Sequence, residues 1–483
     1  METKEKSTTT AEEKEKEKVK KKPIKIRCSL FFDGTCNNRY NTDARTGKLD
    51  AQNESHTDKY EANKAHKAAS EKKDKKPLSG KGDDSYENDY TNIATLEPNV
   101  WPKKIDHGFH VFKVYTDGPG TVKYSPDDTR GYGMGSGEAS GVKTKVLTGI
   151  VEAVSQIQNK TELNSDEVYI KELVLDVFGF SRGAAAARYC INQLLEGDVP
   201  IQKRIENLGF EVQKVTVCFA GLFDTVASYN FAQQVAVVST ENWILKLKAV
   251  QHAEAVLHLA AAEEYRKNFC LHNIKSAGKK GKEYFLPGVH SDVGGSYVDG
   301  DSDAGLIVCR GSPSSVNADR NHLIDEGWYV AADLEESVLS RNIETDEVIL
   351  VDLTVKGRAV SNAYCNIPLK IMADHATKNK ITIESKLEEQ ATTKINAYPE
   401  LQALEGAILS YIGKVGSGSK PSDWKGSNPK PLGVSIQSFT DIRYKHLHMS
   451  SKYNDPVAGG LIFPLAPRFG WFSSQRKRYE FNG

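Results

Sequence analysis

Apolar residues along this chain fall into short unbroken runs, with helical stretches between them. Ile24 to Phe32 alternates and then turns wholly apolar, which predicts a first core strand. Phe109 to Tyr115, Leu173 to Phe178 and Val215 to Phe219 predict three more. Runs without polar alternation suit parallel strands, which helices cover on both faces. Helical character is expected from about 142 to Gln158, over 182–196, over roughly 241–268 and over 383–413; 347–355 reads as a late strand. Strands alternating with helices up to about residue 290 indicate an α/β fold around a mostly parallel sheet.

Polar stretches mark what lies outside that core. Residues 1–23 are rich in Lys, Glu and Thr and read as a disordered charged tail. Residues 40–98 are Lys/Asp/Ser-rich and form a long polar insertion, a place for partner contacts. Gly131 to Gly141 lacks the Lys-Ser/Thr of a phosphate-binding loop and reads as a flexible loop near the site. Gly416 to Pro431 is another loop. The expected division is a tail (1–23), a catalytic core (24–300, carrying the 40–98 insertion) and an accessory or cap region packed on it (301–483).

Composition narrows the function. Lys+Arg and Asp+Glu are equal at 64 each, so no basic excess points to nucleic acid. The beginning of the chain has no apolar signal region, and nowhere are 18 apolar residues consecutive. The expectation is a cytoplasmic chain with no transmembrane segment, for which any export needs a dedicated machine. The seven cysteines are odd in number and show no Cys-x-x-Cys pair; several, such as Cys218, lie in apolar runs and read as core thiols, and no metal-ligand spacing appears.

The candidate chemistry centres on Gly179-Phe180-Ser181-Arg182-Gly183, between the strand ending at Phe178 and an alanine-rich helix. G-x-S-x-G at such a junction is a nucleophile elbow, a tight turn that presents the serine above the sheet. Gly179 and Gly183 are required where side chains would collide. The Arg182 N–H, at the helix N-terminus, lies where an oxyanion would form. The bland alternative is a tight turn whose serine caps the helix.

A serine nucleophile needs a base and a group to orient it. Asp224 follows the next apolar strand in a turn and suits the orienting acid, although an Asp there also suits a helix cap. Among later histidines, His252 and His258 sit in a helical pattern and read as packing or surface residues. His290 ends a strand and enters a glycine-containing turn, and His448 is the runner-up base. The Gly34-Thr35 turn after the first strand is the candidate second oxyanion donor. Asp33, Asp117 and Asp292 are candidates to orient site loops or touch substrate.

Four blocks together, Phe31 to Asn38, Gly179 to Ala184, Gly221 to Ser228 and Pro287 to Gly295, resemble the α/β-hydrolase catalytic domain of the type VI secretion lipase effectors, first subfamily. Asp117-Gly118 also fits the pattern. The resemblance covers roughly residues 24–300. It implies a Ser181–Asp224–His290 triad without a cofactor, and hydrolysis of glycerophospholipid acyl esters of A1 or A2 type. It further implies delivery to the envelope of rival bacteria by a secretion spike or tube, and an immunity protein in the producer. The tail, the 40–98 insertion and the region after 300 depart from the pattern. A bilayer substrate calls for an apolar, mobile cover, for which 383–413 or 229–250 are candidates. The alternatives are a soluble carboxylesterase or other serine hydrolase, and an inactive hydrolase scaffold serving as a binding protein.

Overall fold

The computed structural model describes residues 21–46, 84–125, 127–128, 140–160, 164–227, 244–266, 269–414, 432, 436–453, 478 and 480–483. Residues 1–20 of the expected tail, most of the 40–98 insertion and nearly all of the 131–141 glycine stretch lie outside them, while Lys22 and Pro23, expected in the tail, already belong to the first strand. The 416–431 loop and most of the 229–250 candidate cover also lie outside the described residues.

The apolar runs become one seven-stranded sheet. Its strands are β1 (Lys22–Phe32), β2 (Ile105–Asp106), β3 (Phe109–Thr116), β4 (Val168–Phe180), β5 (Val215–Phe223), β6 (Ala255–Ala261) and β7 (Gly281–Leu286). The spatial order is β2-β3-β1-β4-β5-β6-β7, with every neighbouring pair parallel except β2–β3 at the edge. Strand order reverses at β1: β3 lies on one side of it and β4 on the other. In open α/β sheets the crevice at such a switch point, outside the strands' carboxyl ends, is where sites form.

Period-two alternation sorts the central strands' side chains between two cores. Ile26, Cys28, Leu30 and Phe32 of β1 and Leu173, Leu175 and Val177 of β4 pack on one face with helices α1 (Val142–Lys160) and α2 (Arg182–Glu196). Ala184 to Ala187 of α2 are all buried, so small side chains bring the helix close to the sheet. On the other face, Phe31, Phe178 and Phe180 join a core that includes α3 (Asn366–Lys378), α4 (Ser385–Asn396) and α5 (Pro399–Lys414). Phe31 and Phe178 stack there at 4.6 Å.

A buried ion pair ties the late helices to the sheet. Arg27 donates to Asp176 through Nε and Nη2, both at 2.8 Å, and to the carbonyls of Asn379 and Lys380 just past α3. Ser29 Oγ adds a 3.0 Å bond to Asp176 and accepts from the Trp101 indole at 2.9 Å.

Two element expectations are corrected. Within 241–268, expected to be helical, residues 255–261 form β6, an interior strand of the sheet, after a short 3-10 turn at 247–252. Ala-Val-Leu-His-Leu-Ala-Ala is apolar on every side, so its period is undefined and only burial between β5 and β7 decides for strand. His258 is accordingly a core-strand residue. The helical stretch 383–413 is two helices, α4 and α5, and Pro399 starts the second because its missing N–H is costless at that position. The late strand lies at Val348–Val355, in a separate three-stranded antiparallel sheet. Cys28, Cys190, Cys218 and Cys365 are free thiols.

Candidate active site

Three strand ends converge at the switch-point crevice. β4 runs directly into Ser181, whose φ of 58° and ψ of −126° lie where a non-glycine residue is strained by about 1–3 kcal/mol. Neighbours impose that conformation. The Ser181 N–H donates to the Phe223 carbonyl at the end of β5, and its own carbonyl accepts from Ala184, Ala185 and Val226. The flanking glycines are steric necessities: a Cβ on Gly179 would lie 2.3 Å from the Gly183 carbonyl oxygen. One on Gly183 would lie 2.2 Å from that of Asp33. The start of α2 thus rests on the end of β1, and the elbow and the Asp33–Thr35 turn are in direct contact.

Asp224 follows β5, also at positive φ (40°). Its N–H donates to Leu259 O at 2.7 Å, and its Oδ1 accepts from the Ala261 N–H at 2.9 Å, so the misread strand β6 holds this carboxylate in place. The next residue is fixed too. The Thr225 N–H donates to Nε2 of buried His258, whose Nδ1 therefore carries the proton toward Glu283 Oε1 at 2.8 Å.

His290 opens a short helix (His290–Gly294) after β7, and its Nδ1 lies 2.5 Å from Asp224 Oδ2. Its ring sits between Phe180 (4.6 Å) and Phe269 (5.0 Å). Burial lowers its pKa, outweighing the pull of Asp224. Burial pushes the Asp224 carboxyl up, but Arg478 and His290 overcome this and hold it well below the usual carboxylate range. The resting pair is therefore a neutral imidazole on an ionised carboxylate. Ser181 Oγ and His290 share no hydrogen bond among the described residues; such bonds often tighten only when substrate binds.

The other expected site residues divide. Asp33 is buried at the end of β1, with Oδ1 accepting from Thr91 Oγ1 and Gly34 N–H and Oδ2 from Tyr115 O–H, each at 2.7 Å. Burial raises its pKa to about 6 against those three bonds. The Gly34 N–H is thus engaged within the turn, whereas buried Thr35 Oγ1 has no partner. Asp292 accepts from the Val289 N–H and binds His448 Nδ1 at 2.7 Å, and His448 stacks on Tyr297 at 3.8 Å. His448 is therefore committed to Asp292, while His290 is the histidine on Asp224. Asp117 lies past β3, held by Lys145 (2.7 Å), Thr121 and Asn38. His252 sits on the 3-10 turn beside Glu196.

Sequence reasoning missed several residues around His290. Glu264 accepts from its backbone N–H at 3.2 Å and is paired with Arg266. Glu263 forms a buried pair with Arg443, and Ser450 bonds Glu264. Arg478 grips Asp224. In sequence these are an unremarkable Glu-Glu pair and members of basic runs, with no signal of burial. Among the described residues no cluster is arranged to hold a metal ion, and no helix is long and apolar enough to cross a membrane.

Residues 200–310 match the family model described as "T6SS, Phospholipase effector Tle1-like, catalytic domain". This segment resembles that catalytic domain. The match contains Asp224 and His290 and begins after the elbow. A solved structure of a Tle1 effector bound to the VgrG spike of a type 6 secretion system shares the fold. It has a TM-score of 0.59 and 21% identity over 96% of this chain and 94% of that one. An uncharacterized protein from Pseudomonas aeruginosa is more distant, with 17% identity, a TM-score of 0.38, and 81% and 53% of the two chains covered. No curated protein matches.

Proposed function

We propose that this protein is a type VI secretion effector that hydrolyses acyl esters of membrane glycerophospholipids through Ser181, His290 and Asp224. The observation that carries the reading is the convergence at one crevice: a strained serine at an elbow, beside a neutral imidazole on an ionised carboxylate. The Tle1-like segment supports the substrate class.

In this mechanism Ser181 Oγ attacks the ester carbonyl as His290 Nε2 takes its proton, and Asp224 holds the Nδ1–H tautomer. The oxyanion accepts from the Arg182 N–H and from the Asp33–Thr35 turn, where Thr35 is the donor once Gly34 is bound to Asp33. Each such donor is worth roughly 10²–10³ in rate. His290 returns the proton to the departing lysophospholipid alcohol. Water, activated by the same imidazole, then releases the fatty acid and restores Ser181.

The domain reading is a catalytic core over 24–300 with 301–483 as its cap. It is supported by the late segments that bond the core: 379–380 at Arg27, Arg443 at Glu263, His448 at Asp292 and Ser450 at Glu264. Carriage by a secretion spike, action at the envelope of a target cell and an immunity partner in the producer follow from the same reading. The structural relative's spike-bound state supports the first of these.

The test is fatty-acid release from mixed phospholipid vesicles, beside turnover of a short-chain ester, by wild type, Ser181→Ala, His290→Ala and His448→Ala. The proposal expects vesicle hydrolysis that Ser181→Ala and His290→Ala abolish and His448→Ala retains in part. Turnover of the soluble ester alone would make the protein a carboxylesterase, and full activity in Ser181→Ala would end the catalytic reading.

A further inference from the structure

Asp224 is gripped from far along the chain. Arg478 donates through Nη1 to Oδ1 at 2.6 Å and through Nη2 to Oδ2 at 2.9 Å. Its Nε donates to the Phe269 carbonyl at 2.7 Å, and Nη1 also reaches the Ala261 carbonyl at 3.2 Å. The guanidinium is buried, and nearby Glu480–Phe481 pairs as a short parallel strand with Leu271–His272.

We propose that Arg478 is a positioning residue of the hydrolytic site, fixing the Asp224 carboxylate beneath His290 and balancing its charge. The proposal rests on the triad reading above and adds a fourth member to it. With Ala261 N–H, His290 Nδ1–H and two Arg478 donors, each Asp224 oxygen accepts two bonds and the carboxylate's roughly four acceptor sites are full. A carboxylate bonded in this way has no alternative rotamer to offer the imidazole. Arg478 also anchors the backbone of Phe269, whose ring stands edge-on to His290, so one side chain sets both the partner and a wall of the base.

The second part is charge. Of the charges acting on His290, Asp224 and Glu264 favour the imidazolium and Arg266 opposes it, while Arg478 reaches the ring through the Asp224 carboxylate it pairs. Burial outweighs the pull of the carboxylates and keeps the imidazole neutral, and the guanidinium on Asp224 weakens that pull. Replacing Arg478 with a neutral residue leaves one uncompensated carboxylate in direct contact with the ring. This raises the affinity of His290 for a proton by about one pH unit. Lysine keeps the charge and loses the two-pronged grip.

The two roles therefore separate in two variants of the full chain. In Arg478→Gln, kcat on a short-chain ester falls on the order of tenfold and the acid limb of kcat/KM moves to higher pH. In Arg478→Lys, kcat falls while the limb stays. NMR titration of the His290 imidazole, assigned with His290→Gln, reads the charge role without requiring turnover. It should show a higher midpoint in Arg478→Gln than in wild type. An unmoved midpoint or limb in Arg478→Gln overturns the proposal, even if kcat falls. If Arg478→Gln does not fold, wild-type kcat in Arg478→Lys overturns it instead. Retained turnover in Ser181→Ala would fail the triad reading separately, since the titration does not depend on it.

Discussion

Gly183→Ala places a methyl group where the elbow meets the first strand. The added Cβ would lie 2.2 Å from the Asp33 carbonyl oxygen and 2.3 Å from that of Phe32, and real Cβ atoms essentially never come within 3.0 Å. The contact is thus short by about 0.8 Å, and the opposing atoms are backbone of a central strand, not the end of a flexible side chain. Helix α2 must lift from the sheet, taking the Arg182 N–H and Ser181 with it and disturbing the Asp33–Thr35 turn. Overpacking of this kind costs about 1–3 kcal/mol of stability. A displacement approaching 1 Å in a reacting group costs about 10²-fold in rate. The assay is kcat and KM on a short-chain ester together with the thermal midpoint. Expected are a kcat reduced about 100-fold, a far smaller change in KM and a lowered midpoint. The matched control is Gly406→Ala in α5, where a Cβ meets nothing within 4 Å. It should be neutral in activity and stabilise by about 0.5–1 kcal/mol. Wild-type kcat in Gly183→Ala would refute the claim that the elbow and the β1 turn are held in direct register.

Other outcomes follow from buried charge. Asp176→Ala strands Arg27 without its carboxylate and should destabilise by about 3–5 kcal/mol, measured by urea unfolding. The double variant Arg27→Met/Asp176→Leu should cost less than that single change, because neither charge is then left unpaired. The Asp33 pKa is raised to about 6 from 3.8, so the native state binds more protons than the unfolded chain between those values. Stability must therefore fall as pH rises from about 4 to 6, by on the order of 3 kcal/mol. Asp33→Asn should lack that component, and parallel stability–pH curves for the two proteins would dispose of it. His290 is lowered from 6.5, so the acid limb of wild-type kcat/KM should fall below pH 6.5. A limb at or above that value would contradict a base held neutral by burial.

Much of the architecture was open to a reader of the sequence alone. Parallel strands buried on both faces are rich in apolar residues, so the runs within β1, β3, β4 and β5 announce themselves. The helix over 182–196 was legible in its boundaries because small residues follow a G-x-S-x-G turn. The elbow glycines are local requirements of backbone contact, and local requirements leave motifs. Ser181 and Asp224 stand out locally because each ends a strand or opens a turn, whereas His290 is set apart from His448 in sequence only by the family resemblance. Tertiary structure alone decided what those residues meet. The run at 255–261 has no period, and only its place between β5 and β7 makes it a strand and brings Ala261 N–H to Asp224. Local sequence leaves both His290 and His448 open as partners of an acid, and only the fold shows which carboxylate each one reaches. Arg478 stands 254 residues from Asp224 inside a basic run that resembles any solvated surface. A contact between distant segments imposes no spacing on either one, so it leaves no pattern to read until the chain has folded.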